Sequence, residues 1–199
     1  MTEERVRVIA GELKGRSIAA PPGTTARPTY DRVRESLFGM LEPDLPGANV
    51  LDLFAGSGSL GIEALSRGAR EATFIEQSGK VLRVLEDNIE SLGLRGRSLV
   101  IRGDALRLVR ERRVPTAPFD VVFVDPPYSS GHAERALRCI GPLVAPRGVV
   151  VVERARGTDA DGAQDDASSR LELVRRRGYG STEVDIYRSA GEHEPREGQ

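Results

Sequence analysis

The chain has one cysteine in 199 residues, Cys139, so an internal disulfide is excluded and no thiolate cluster is left for zinc. Its only histidines, His132 and His193, are too few and too far apart to suggest a metal site, and none is expected. Long hydrophobic runs are also missing. The longest are strand-length pieces such as 121–124 and 149–152, far short of the roughly 20 residues a membrane span needs. The charged stretch 1–7 lacks the apolar core of a signal peptide. A net charge of −1 rules out a globally basic coat, and 39% apolar residues argue against wholesale disorder. A soluble cytoplasmic protein is expected, with any nucleic-acid surface confined to one region. So short a chain fits one good core with an appendage better than two full domains. Cys139 reads as a small core residue of a helix.

What is present begins with a basic front end. Val6, Val8, Leu13 and Ile18 alternate around Gly11-Glu12, a small hairpin over about 5–20 that Pro21-Pro22-Gly23 ends. Thr29, after Arg27-Pro28, is placed to cap a helix whose Val33, Leu37, Phe38 and Leu41 share one face, with Pro43 and Pro46 closing it. Residues 5–34 hold seven basic side chains (Arg5, Arg7, Lys14, Arg16, Arg27, Arg32, Arg34) against Glu12 and Asp31, a local net of +5. Such a patch suits phosphate docking, with Arg7, Lys14, Arg16, Arg32 and Arg34 as its candidates.

From Asn49 onward, apolar runs alternate with helical stretches, as in a parallel sheet with crossover helices. Strands are expected near 50–54, 72–75, 99–102, 120–124 and 149–153. The clearest helix is 78–92, where Val81, Leu82, Leu85, Ile89 and Leu92 form a stripe and Gly93 supplies a left-handed stop. Residues 156–169, rich in Gly, Asp, Ala and Ser, read as a mobile loop. Segments 171–177 and 182–188 alternate around Gly178-Tyr179-Gly180 and suggest a second hairpin added to the sheet. From Ser189 the chain reads as a disordered tail. The expected fold is α/β and Rossmann-like: a seven-stranded, mostly parallel sheet, helices on both faces, a C-terminal antiparallel hairpin and a small N-terminal β-hairpin extension.

Two constellations carry chemistry. In the first, the strand at Val50 to Phe54 runs into Ala55-Gly56-Ser57-Gly58 and then a helix, so that Gly56 and Gly58 let the backbone turn tightly against a ligand. Gly56, Gly58 and Gly61 also fit a dinucleotide fingerprint, and Glu76 lies twenty residues after Gly56, where an acid can grip ribose hydroxyls. Asp52 tips the choice of cofactor. A carboxylate at a strand's carboxyl end suits a ligand ammonium and not a pyrophosphate, although it can instead bond backbone amides of the turn. Asp104 either accepts from an adenine amino group or caps the helix after it.

The second constellation, Asp125-Pro126-Pro127-Tyr128, follows a buried strand. Prolines hold the backbone extended and donate nothing, so the Asp125 carboxylate and Pro126 carbonyl project as two acceptors, matching the two hydrogens of an exocyclic amino group. Held so, the amine turns its lone pair toward an electrophilic methyl while Tyr128 stacks on the base.

At this point the chain resembles the amino-methyltransferases acting on adenine N6, cytosine N4 or guanine N2. More narrowly, residues 7–16, 27–38, 51–58 and 63–69 are similar to the RsmD family, over a span from about Arg5 to Arg188. The resemblance implies S-adenosylmethionine as cofactor and methyl transfer to N2 of one guanine in bacterial small-subunit ribosomal RNA; an assembling subunit as partner and a monomeric enzyme are further expectations. The resemblance also implies that Asp125 and Tyr128 belong to the base site, which the Pro126 carbonyl joins as the second acceptor, and that Asp52, Gly56, Gly58, Glu76 and Asp104, with Arg27 and Thr29, line the cofactor site. The implied organisation is a basic hairpin and helix over 1–46, a catalytic domain over 47–188 and a tail over 189–199. Gly39 stands where the family usually has Asn, the 156–169 loop is longer and more acidic than the family's, and the tail matches nothing.

Three other readings compete. A DNA adenine-N6 methyltransferase shares the amino-acceptor motif but needs a sequence-reading module for which this chain has no room. An NAD-dependent dehydrogenase leaves Asp52 and the 125–128 motif unexplained. A non-catalytic RNA-binding ribosome assembly factor has no need of intact acceptors.

Overall fold

The computed structural model describes residues 5–21, 28–127, 131–157 and 170–191, the side chains of 28–31 excepted. Strands β1 (Arg5–Arg7) and β2 (Ser17–Ala19) pair antiparallel, with Val6 opposite Ile18. Helix α1 (Pro28–Leu41) starts on proline, whose fixed φ suits the first helical position. Thr29 therefore lies inside the first turn and not at the cap.

The α/β body then runs β3 (Asn49–Asp52), α2 (Ser59–Ser66), β4 (Glu71–Glu76), α3 (Gly79–Ser91), β5 (Ser98–Arg102), α4 (Ala105–Arg110), β6 (Phe119–Val124), α5 (His132–Ile140) and β7 (Val144–Ala155). Strands β8 (Leu171–Tyr179) and β9 (Thr182–Ser189) complete it. The seven-stranded sheet has the order β5-β4-β3-β6-β7-β9-β8. The first five are parallel, and β9 inserts antiparallel between β7 and β8. The chain moves outward from β3 through β4 to β5, then returns to β6 on the other side of β3. That reversal opens a crevice at the carboxyl ends of β3 and β6, where ligands of open α/β sheets bind.

The parallel strands are apolar on both sides because helices cover both faces. Val50, Phe74, Phe123 and Val151 pack with α1, α2, α3 and the N-terminal hairpin. Leu51, Ile75, Val122 and Val150 pack with α4 and α5. Each such side chain is worth about 1.5–3 kcal/mol of burial. Phe38 of α1 is fully buried against Phe123, ring centroids 5.6 Å apart, so α1 shares its core with the sheet.

The N-terminal hairpin is also knitted to the body. The buried Glu63 carboxylate of α2 accepts from the amides of Ile9 (2.7 Å) and Ala10 (3.0 Å), and Asn88 of α3 exchanges bonds with Ala19, accepting at 2.8 Å and donating at 3.0 Å. Gly11 comes so close to α2 that a Cβ there would stand 1.8 Å from the Ser66 carbonyl oxygen, a contact only glycine permits. The described hairpin and α1 thus pack onto the body of the sheet and its helices.

Several boundaries differ from the sequence reading. β3 ends at Asp52, because Leu53 and Phe54 already belong to the turn. β7 begins at Val144, five residues early, since a short 3-10 turn at Gly141–Leu143 feeds straight into it. Ser189, read as the start of a tail, is buried at the end of β9, and the amide of Ala190 donates to Arg170 O at 2.8 Å. Cys139 is only half-buried, its thiol donating to the Arg135 carbonyl at 3.2 Å. Most of the expected loop at 156–169 and the last eight residues lie outside the described residues.

Candidate active site at the carboxyl edge of the sheet

The glycine turn is pinned between the strands flanking β3. Leu53 N donates to Phe123 O (3.0 Å) on one side, Ala55 N to Ile75 O (2.9 Å) on the other, and Gly58 N closes the turn on Ala55 O (2.7 Å). Gly58 has φ +85°, which favours glycine, and a Cβ on it would displace Leu85 Cδ1, 2.5 Å away. Gly56 differs: a Cβ there would meet nothing within 4 Å, so this turn of backbone borders open space.

Glu76, at the end of β4, spans that turn. Its Oε2 accepts from Gly56 N at 3.0 Å and its Oε1 from Ser78 N at 2.7 Å, which leaves each oxygen further lone pairs for a ligand. Asp52 is 1% exposed, and its Oδ2 accepts from Gly61 N in the first turn of α2 at 3.0 Å. Burial raises its carboxyl from 3.8 to about 7, the Gly61 bond opposes the rise, and the charge of Glu76 adds to it. Of the two roles open to Asp52 in the sequence, the backbone bond is made. Asp104 likewise takes the capping role, Oδ1 accepting from Arg107 N at 3.0 Å, and its exposed side chain keeps a second oxygen toward solvent.

Asp125 and Pro126 follow β6 beside this turn, Asp125 partly and Pro126 fully buried. Burial pushes the Asp125 carboxyl well above the usual carboxylate range, and the charges of Glu153 and Asp52 add to the effect. Side-chain alternation explains the crowding. Asp52 pairs with Phe123, and Val124 with Val152. Since Phe74, Phe123 and Val151 face the α1–α3 side, Glu76, Asp52, Asp125 and Glu153 fall on that same face, at the ends of four adjacent strands. Sequence reasoning missed Glu153, which is 8% exposed. An acid closing an apolar run one strand over from Asp125 was the available signal. Such a row suits a cationic ligand and opposes a dinucleotide's pyrophosphate. Among the described residues no group of three or more His, Cys, Asp or Glu is placed to hold a metal ion.

Phe54 of the glycine turn meets His132 at the start of α5, centroids 5.9 Å apart and 75° between planes, which ties the turn to the segment after the acceptor motif. Tyr128 and Arg27 lie outside the described residues, as does the side chain of Thr29.

The basic candidates do not form one surface. Arg7, Lys14, Arg16 and Arg32 are exposed, but Arg34 is buried with Nη2 donating to the Arg7 carbonyl. Expected to dock RNA, Arg34 instead lies at the α1–β1 contact. Lys14 and Arg16 flank the hairpin tip. That tip contacts Ser66 at the end of α2, Arg97 through Glu12, and Ser91 O at the end of α3 through Arg16 (2.9 Å). Crossover helices run back toward the amino edge, so these two side chains lie opposite the crevice.

Also unforeseen is a buried ion cluster that fastens the last hairpin. Arg154 and Arg176 both bond Asp185, which is fully buried (Nε to carboxylate 2.9 and 2.7 Å), and Arg154 also pairs with Glu183.

This fold, with its carboxylate-lined crevice, is that of a Rossmann-like methyltransferase that takes S-adenosylmethionine. The residues present fit the cofactor: acceptors at Glu76, a buried acid at Asp52 and open space over Gly56. The chain belongs to the RsmD family, the model described as Conserved hypothetical protein 95 matching residues 6–188. YlbH of Bacillus subtilis is 38% identical over 188 residues, 94% of this chain and 100% of that one. Ribosomal RNA small subunit methyltransferase D of Escherichia coli (strain K12) is 40% identical over 136 residues, 68% of this chain and 67% of that one. The solved structure of Escherichia coli yhhF has a TM-score of 0.79 at 33% identity, covering 94% of this chain and 99% of that chain. Among the described residues no helix is long and apolar enough to cross a membrane.

Proposed function

We propose that this protein methylates the exocyclic N2 of a guanine in small-subunit ribosomal RNA. The observation that carries the reading is the placement of Asp125 and Pro126 at the crevice beside the glycine turn, in a chain similar to a ribosomal RNA small subunit methyltransferase. S-adenosylmethionine supplies an electrophilic methyl group when bound. Glu76 holds the ribose hydroxyls through its remaining lone pairs, and Asp52 faces the positively charged methionine end. The Asp125 carboxylate accepts one N2 hydrogen and the Pro126 carbonyl the other, which directs the nitrogen lone pair at the methyl. Tyr128 stacks on the base. Positioning supplies most of the acceleration, and the amine loses its proton only as the new bond makes the nitrogen acidic.

Single-turnover transfer of labelled methyl to small-subunit RNA, with cofactor saturating, tests this. Asp125→Ala should lower the rate at least a hundredfold while cofactor affinity stays within a few fold, because its partner is the base. Near-wild-type transfer by that variant would remove Asp125 from the reaction.

A further inference from the structure

The strand farthest from the N-terminal hairpin presents a second basic surface, on the crevice side. β9 is antiparallel to both β7 and β8, so β8 points the same way as the parallel strands and its last residues lie at the carboxyl edge. Val184 of β9 pairs with Glu153 on one side and Arg177 on the other, and Val152 pairs with Val124 just before Asp125. Asp125, Glu153, Val184 and Arg177 thus form one rung across four strands. Strand spacing puts Arg177 about 14 Å from Asp125 along it.

The two also share a face. Val184 and Ile186 pack on the α1–α3 side, and their partners on β8 are Arg177 and Arg175. Arg176 between them points to the opposite side, where Asp185 absorbs it at 2.7 Å. Arg175 and Arg177 are exposed and have no partner among the described residues. Arg156, also exposed, lies on the other face: its guanidinium Cζ stands 3.8 Å from where a Cβ on Gly178 would be, and Gly178 pairs with Glu183 on the side of Arg154 and Arg176.

We infer that Arg175 and Arg177 grip the RNA phosphates flanking the target nucleotide, with the RNA strand crossing the β8 edge on its way to Asp125. This rests on the reading of RNA as substrate. An enzyme acting on an extruded base must hold the backbone on either side of it. Arg177 stands on the rung of the base acceptor and Arg175 two residues before it on the same face, whereas Lys14 and Arg16 occupy the opposite edge. The competing role for charge on an outer strand is to prevent edge-to-edge aggregation, which requires no position relative to Asp125.

The test uses the full chain and small-subunit RNA. Logarithmic RNA affinity is plotted against logarithmic salt concentration for wild type, for Arg175→Gln/Arg177→Gln and for Lys14→Gln/Arg16→Gln. Losing two phosphate contacts should make the slope of the β8 variant shallower by about 1.4–1.8 and raise its KM for RNA, with cofactor affinity as the control for folding. The hairpin-tip variant removes equal charge and should flatten the slope less. Arg175→Lys/Arg177→Lys should recover most of the slope, since charge is retained. An unchanged slope in the β8 variant, equal flattening in both glutamine variants, or aggregation as the only effect would overturn the inference. Wild-type protein that transfers no methyl to RNA would instead overturn the reading beneath it.

Discussion

Replacing Asp52 with Asn should stabilise the protein, more at pH 8 than at pH 5. In the folded chain burial holds the Asp52 carboxyl at about 7, against an ordinary value of 3.8. Between those values the native state keeps a proton that the unfolded chain has lost. The favourable contribution is fully present below the lower value and is lost as pH rises through the upper one. The gap corresponds to ~4 kcal/mol at pH 8, an order-of-magnitude figure for a side chain only 1% exposed. Asn has nearly the same shape, keeps an oxygen for the Gly61 amide and carries no charge, so it escapes this cost. Its advantage should shrink by ~3 kcal/mol between pH 8 and pH 5, where native Asp52 is already neutral. Urea unfolding of both proteins at the two pH values measures the difference, and thermal midpoints should follow at about 2–4 °C per kcal/mol. An Asn variant with the same advantage at both pH values, or less stable than wild type at pH 8, would refute the burial argument.

Cofactor binding beside a protonated Asp52 should release its proton, so calorimetry near pH 6.5 in buffers of different ionisation enthalpy should give different binding enthalpies, and identical values would count against the contact. Glu153→Gln removes a charge that raises the Asp125 carboxyl, so the rise of methylation rate with pH should move to lower pH, while an unmoved profile would separate the two residues. Glu76→Ala should weaken S-adenosylmethionine by about 10- to 100-fold, since it removes charged acceptors from both the ribose and the Gly56 amide; an unchanged Kd would place the ribose elsewhere. Glu63→Ala should cost about 3 kcal/mol and expose the hairpin to proteolysis, because the Ile9 and Ala10 amides lose their acceptor; wild-type stability would show the hairpin to be anchored by packing alone.

The body of the fold was legible because parallel strands covered on both faces write themselves as short apolar runs, such as 121–124, and helix α3 writes a stripe ended by Gly93. Register and insertion were not. The alternation of 171–177 and 182–188 alone does not say that β9 lies inside β8; in the structure β9 is the buried strand and its Asp185 bonds Arg154 and Arg176. Site residues were legible where local chain chemistry defines them, as in the glycine turn and the two prolines after Asp125. They were not where neighbours come from distant strands: Glu153 lies 28 residues past Asp125, and Glu63 sits 54 from the amide it holds. Charge counting found the basic front end, but it could not know that Arg34 turns inward or that the hairpin tip points away from the crevice.

Nucleoside analysis of RNA methylated from labelled S-adenosylmethionine tests the central claim most directly, because the position of the methyl reports which group lay between Asp125 and Pro126. The label should be found in N2-methylguanosine, at a single position of the small-subunit RNA, and should be absent when Asp125→Ala protein is used. Label on a ring nitrogen or carbon, on adenine N6 or cytosine N4, or no label in RNA at all, would contradict the account.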